Sequence, residues 1–191
     1  MKLTKNDCIE LYRWLARSGA LALAVAKNRS KVFGACLLHI RQEAVATVMM
    51  YALYKRGILM ESLVSGDHRT QWGPACAKDV FTSDREGHHH AREILRNHFA
   101  RATGGNYGRD GNIHWGCLAC RILLFMYSDM LGMEGAAIGF IQEVFRNEWP
   151  ELPPEKRPVA VVFYGEGAEQ QGCSHENRNW IATSNYKWDI D

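Results

Sequence analysis

The sequence predicts an α/β fold, a parallel sheet with flanking helices, and three features carry that expectation. Val159–Tyr164 is a continuous apolar run, as expected of a parallel strand covered on both faces. Gly165-Glu166-Gly167 follows at once, and Ala168 to Ser184 has the composition of a helix. Strand, glycine turn and helix together make the ligand-binding corner of an open α/β sheet. Upstream, stretches with helical periodicity precede a second short strand.

In chain order, Leu3 to Lys27 places Leu11, Leu15, Ala22 and Val25 at helical spacing, with Arg13 and Arg17 between them. A turn at Asn28 to Lys31 leads to the run Val32–Leu38. Gln42 to Tyr54 predicts a second helix whose inner face is Ala44, Val45, Val48, Met49, Ala52 and Leu53. Glu61 to Asp67 reads as a short strand entering a loop at His68-Arg69. Lys78 to His90 is polar and breaks the pattern, and Ala91 to Ala102 predicts a helix with Ile94, Leu95 and Phe99 inward. Thr103 to Gly111 is a glycine-rich loop. Gly132 to Trp149 is helical, and Pro150, Pro153, Pro154 and Pro158 end it. No internal repeat, low-complexity tract or long linker divides the chain, so residues 1–191 read as one domain.

Composition narrows the function classes. The 191 residues are 47% hydrophobic and 23% charged, as in an ordinary globular protein. With 23 Lys+Arg against 21 Asp+Glu the formal charge is +2, too close to balance to favour nucleic acid or an acidic membrane. Apolar stretches such as Ile122–Met126 are too short to span a bilayer, and the start does not read as a signal segment. Six cysteines spread along the chain predict free thiols in a reducing compartment. The expected location is the cytoplasm, or the mitochondrial matrix in a eukaryote, although no clear transit peptide is seen.

Four segments carry candidate chemistry. At the Gly165-Glu166-Gly167 corner, glycines permit close backbone approach and the helix start offers unpaired N–H groups to an anion. Glu166 either holds a divalent cation bridging to phosphate or is a solvated loop residue. Arg69 beside His68 either forks onto a diphosphate or forms a surface ion pair. His114-x-x-Cys117-x-x-Cys120 has zinc-like spacing, with core thiols as the alternative. His88-His89-His90 invites a metal reading too, but beside Asp84 and Glu86 it reads as an exposed face.

The order of these segments resembles a known family. Leu38-His39-Ile40-Arg41-Gln42-Glu43-Ala44 is similar to its H-L-x-G-Q-E-A, and His68-Arg69 to its H/Y-R-x-H-G. Ala102-Thr103-Gly104 with Gly108-Arg109-Asp110-Gly111-Asn112-Ile113-His114 is similar to A-T-G and G-K-G-G-S-M-H. Val161 to Gly172, then His175-Glu176 and Asn179, resembles V-x-F-F-G-D-G-A-T-N-Q-G, H-E and N without a gap. The family is the α subunit of the thiamin-diphosphate-dependent 2-oxoacid dehydrogenase E1 component, of the pyruvate, branched-chain or acetoin type.

The resemblance implies a thiamin-diphosphate-binding fold with the cofactor between an α and a β subunit. Glu166 takes the place of the magnesium-binding aspartate, His68 and Arg69 that of the pair contacting the diphosphate. Gly165, Gly167 and Ala168 shape the diphosphate turn. The implied reaction is oxidative decarboxylation of a 2-oxoacid with acyl transfer to lipoamide, and the implied partners are a β-type E1 subunit and a lipoyl-bearing E2. The resemblance also has departures. Glu166 is one methylene longer than the family's aspartate, Arg41 replaces a glycine, Thr70-Gln71-Trp72 replaces the x-H-G, and Cys117–Met130 replaces a glycine-rich segment. Tyr186–Asp191 stands where the next apolar strand belongs, and the family's metal-binding asparagine aligns beyond Asp191. The expectation is therefore the amino-terminal, cofactor-binding half of such a subunit, truncated or eroded at its carboxyl end. The alternative is a non-catalytic relative serving as an interaction or scaffold protein.

Overall fold

The computed structural model describes residues 2–32, 34, 36, 38, 40–66, 70–82, 89–109, 114–125 and 130–187. Among them are helices α1 (Lys5–Lys27), α2 (Glu43–Arg56), α3 (Trp72–Thr82), α4 (His90–His98), α5 (Met130–Phe140), α6 (Arg146–Glu148), α7 (Glu166–Glu169) and α8 (Gly172–Lys187). Strands β1 (Leu63–Gly66), β2 (Trp115–Cys117), β3 (Ile122–Phe125) and β4 (Ala160–Phe163) form one sheet in the order β2-β3-β1-β4.

β1 pairs in parallel with both β3 and β4, with Leu63 opposite Ala160 and Gly66 opposite Phe163. β2 joins antiparallel to β3 through an irregular register between Trp115 and Cys117. The α/β class with flanking helices therefore holds, but the sheet is mixed rather than wholly parallel. β4 sends side chains to both faces, but Ala160, Val161 and Val162 are only half-buried, because among the described strands it lies at an edge.

Period-2 alternation divides two cores across the sheet. Val64, Ile122, Val161 and Phe163 face α1–α4 and pack with Trp14, Val25, Met50, Trp72, Ile94 and Trp115. Leu63, Leu123, Ala160 and Val162 face the opposite layer, where Ala137 and Phe145 are buried and Phe140 and Trp149 pack beside them. Each large side chain buried in this way contributes on the order of 1.5–3 kcal/mol.

Local chemistry sets the helix ends. Thr4 caps α1 in a reciprocal capping box with Asp7, and Asn28 closes it by donating from Nδ2 to the Ala24 carbonyl at 3.0 Å. α1 buries Trp14, Ser18, Ala22 and Val25, close to the predicted stripe. α2 ends on Gly57, whose φ of 68° suits a residue without a Cβ.

The inner face of α2 departs from its expectation. Ala46, Thr47, Met50, Tyr51 and Leu53 are buried, whereas Val45, Val48 and Met49 are exposed. α2 carries apolar residues all round, so periodicity alone does not choose the buried side. Gly73 of α3 does, because a Cβ there would come 2.6 Å from that of Ala46.

α3 occupies a stretch in which no helix is predicted. Lys78, part of the polar break, is fully buried on it and donates from Nζ to the carbonyls of Ser62 at 2.8 Å and Cys120 at 2.7 Å. Those bonds compensate a desolvation that an unpaired ammonium could not sustain. α4 is shorter than predicted, since Ala100 turns to a φ of 46° directly after the Phe99 cap. α8 runs on to Lys187, so Tyr186 and Lys187 are helical; Trp188–Asp191 lie outside the described residues. No described helix is long and apolar enough to cross a membrane.

Candidate functional site

Two groups of side chains stand at opposite ends of the sheet. At the carboxyl ends of the parallel strands, β4 runs through Tyr164 into Gly165, which is the N-cap of α7. The N–H groups of Ala168 and Glu169 donate to the Gly165 carbonyl at 3.1 and 3.2 Å, leaving the first-turn amides of Glu166 and Gly167 without intrahelical acceptors. A Cβ built on Gly165, Gly167 or Gly172 meets nothing within 4 Å, so the backbone here is open to an incoming group. Glu166 is exposed.

The wall of this corner is polar. Arg178 of α8 donates to the Tyr164 hydroxyl at 2.8 Å and to Glu169 at 2.9 Å. Ser174 donates to both Glu134 oxygens, at 3.3 and 3.2 Å, and so seats α8 on α5.

Beside it, β1 ends at Gly66, opposite Phe163, with a φ of 137°. A Cβ on Gly66 would approach Phe163 N to 2.5 Å and its Cα to 2.7 Å, so only glycine permits this contact. His68 and Arg69, the predicted diphosphate pair, lie outside the described residues, two and three positions beyond Gly66 in sequence. Gly165, Glu166, Gly167 and Ala168 are all in the α7 turn, as their spacing predicts. Among the described residues no group of three ligating side chains forms at Glu166.

At the amino ends of β1 and β3 lies the second group. His90, Cys117 and Cys120 offer ligand atoms that all fall within 4.8 Å of one another. Cys117 ends β2 and Cys120 closes a 3₁₀ turn before β3, and Arg121 adopts a φ of 53° to complete that turn. Asp79, at the end of α3, caps α4 by accepting from the N–H of His90 at 2.7 Å and of Ala91 at 3.0 Å. Its Oδ1 also lies 2.7 Å from His90 Nδ1.

Burial alone drives the His90 imidazolium down, but its bonds to Asp79 and Cys117 outweigh that and hold it at about 9. The Cys117 thiol is correspondingly lowered, chiefly by His90. The Trp115 and His90 rings pack in a T-shaped pair with centroids 5.6 Å apart.

The sequence placed His114, not His90, with the two cysteines. In extended chain, three residues upstream of Cys117 is about 10 Å away, and the cluster excludes His114 accordingly. The carbonyl of His114 instead accepts from Asn97 Nδ2 at 3.2 Å and from Asn106. His90 is fully buried, against the expectation of an exposed His88-His89-His90 face; His88 lies outside the described residues. The approach of His90 depends on the Asp79 cap and the α4–β2 packing, which no local spacing displays.

A cavity of about 300 Å³ lies beside the glycine-rich loop, lined among others by Gly105, Asn106, Trp115, Leu118 and Ala136. None of the described residues that line it is titratable. No protein-family model matches the chain, and no curated protein is significantly similar to it.

Proposed function

We propose that the chain is an α-type E1 subunit of a 2-oxoacid dehydrogenase complex. In this reading it works with a β-type subunit to decarboxylate a 2-oxoacid oxidatively and pass the acyl group to lipoamide. The supporting observation is the parallel register of β1 and β4. Two motifs nearly a hundred residues apart, His68-Arg69 and Gly165-Glu166-Gly167, follow directly from strands that end side by side. That is where an open α/β sheet binds its ligand.

The residues present suit the cofactor in part. The open glycine backbone and free first-turn amides of α7 fit a diphosphate. Glu166 offers one carboxylate for Mg²⁺, which needs further oxygens from phosphate and water. Arg69 would fork two N–H bonds onto diphosphate oxygens, with His68 beside it. When bound, thiamin diphosphate supplies the electron sink for the carbanion left by decarboxylation, while the protein binds and orients it.

Arg69→Ala should weaken thiamin diphosphate binding by about 1.5–3 kcal/mol, the range for a hydrogen bond to a charged group. Calorimetric titration of the chain assembled with a β-type subunit measures this, and equal affinity in variant and parent would refute the diphosphate placement.

A second reading, a non-catalytic interaction protein, draws on the lack of a three-ligand group at Glu166 among the described residues and on the exposed Val45, Val48 and Met49 of α2. It predicts co-purification with a β-type subunit that Glu166→Ala and cofactor removal leave unchanged.

A further inference from the structure

We propose that His90, Cys117 and Cys120 form a binding site for a thiophilic divalent cation of the zinc class, separate from the corner at Glu166. Three features support it independently of the cofactor reading. The first is the donor set, one imidazole and two thiols whose ligand atoms lie within 4.8 Å of one another. With Zn–S near 2.3 Å and Zn–N near 2.0–2.1 Å a tetrahedral ion holds its ligand atoms roughly 3.5–3.8 Å apart, so rotamer adjustments that draw the three together by about an ångström are enough to seat one cation. Soft thiolates select zinc and its neighbours over magnesium. The site and the proposed Mg²⁺ site therefore call for different metals.

The second is the outer shell. Nδ1 of His90 is held by Asp79 at 2.7 Å, and the same ring hydrogen-bonds Cys117. A histidine whose second nitrogen is fixed by a carboxylate is the usual arrangement around a metal. Lys78 pins the turn from behind through the Cys120 carbonyl at 2.7 Å. The charges balance: two thiolates offset the cation, and the Lys78 ammonium offsets the Asp79 carboxylate. A neutral total suits a place where His90 and Cys120 are buried.

The third is the backbone. Arg121, a non-glycine residue, adopts a φ of 53° directly after Cys120. The strain is held by its guanidinium, which donates to the Glu61 carbonyl at 2.6 Å and pairs with Glu148. Strain held in this way is characteristic of binding sites. The three described ligands leave a fourth position of the tetrahedron to be filled, as in open zinc sites by water or an exogenous group.

The test uses the full chain kept reduced, loaded with equimolar Zn²⁺, desalted and analysed for metal. One zinc per chain is expected, and Co²⁺ in its place should give the intense thiolate-to-metal charge-transfer bands of a tetrahedral thiolate site. Cys117→Ser, Cys120→Ser and His90→Ala should each abolish those bands, while Cys173→Ser, at an exposed thiol, and His114→Ala should keep them. Asp79→Asn should weaken zinc binding by about 10–100-fold, the range for an outer-shell partner, and gives a readout should a ligand variant fail to fold. Less than about 0.1 zinc per chain, where a structural site would be nearly full, overturns the proposal. So does loss of the Co²⁺ bands in His114→Ala with retention in His90→Ala. Thiamin diphosphate binding at the far corner should persist in Cys120→Ser, so the two readings stand or fall separately.

Discussion

Replacing Gly66 with alanine strikes the contact that joins β1 to β4. The added Cβ would stand 2.5 Å from Phe163 N and 2.7 Å from its Cα, and closer still to its carbonyl oxygen. β1 cannot yield easily, because Leu63 and Val64 are fully buried on opposite faces, and the register fixes β4 against it at four successive pairs. A φ of 137° adds backbone strain for any side chain, about 1–3 kcal/mol. Overpacking against a rigid neighbour adds about 1–3 kcal/mol more. The sum, roughly 2–6 kcal/mol, corresponds to a fall in Tm of about 5–20 °C at about 2–4 °C per kcal/mol for a chain of this size. Thermal denaturation followed by far-UV circular dichroism measures it. Gly139→Ala is the control with opposite sign: its Cβ meets nothing within 4 Å inside α5, and the exchange should stabilise by about 0.4–1 kcal/mol. A Gly66→Ala protein melting with the parent would refute the close parallel pairing, and with it the juxtaposition of the two motifs.

Other parts of the fold give further predictions. Asp7 is held well below the usual carboxylate range, first by Lys55 at 2.7 Å, then by Thr4 and the Tyr51 hydroxyl. A depressed carboxyl contributes stability above its ordinary pKa and loses it as pH falls. Asp7→Asn should therefore lower Tm at neutral pH and flatten the acid limb of the Tm-against-pH curve. A variant with the parent's acid limb would contradict this. His98, fully buried against Trp72 with Nδ1 on the Ile94 carbonyl at 2.9 Å, is lowered by burial. The unfolded chain takes up that proton first, so the His98 contribution to stability falls on acidification from about pH 7 to 5. His98→Phe should reduce that slope, and an unchanged slope would place the responsible proton elsewhere. Phe145 is fully buried and meets the Phe140 and Trp149 rings at 5.4 and 6.1 Å. Phe145→Ala should cost about 3–5 kcal/mol by denaturant titration, and a cost under about 1 kcal/mol would mean that face of the sheet is not a packed core.

What the sequence displays depends on whether the deciding interactions are local. β4 and its glycine corner are legible because a short apolar run and two glycines leave few alternatives. The α5 segment is legible for a similar reason, ended by prolines and extended through a π turn at Ile141–Phe145. α3 is hidden because Lys78 and Asp79 look like solvated loop residues. Their partners are the Ser62 and Cys120 carbonyls and the α4 amides, brought in only by tertiary folding. The same cause hides His90: the spacing draws attention to His114, which β2 carries away from the thiols. Val45, Val48 and Met49 mislead in another way, since an apolar residue on a helix declares no side when the opposite face is apolar too.

The central claim, that the β1–β4 end of the sheet receives thiamin diphosphate through a bound cation, is tested most directly by thermal unfolding with and without the cofactor and Mg²⁺. A ligand at a hundred times its Kd adds about 2.7 kcal/mol, which for this chain raises Tm by roughly 5–10 °C. That rise is predicted for the assembly with a β-type subunit, and it should vanish in Glu166→Ala. An unchanged Tm at millimolar cofactor, with and without the β-type subunit, would contradict the account.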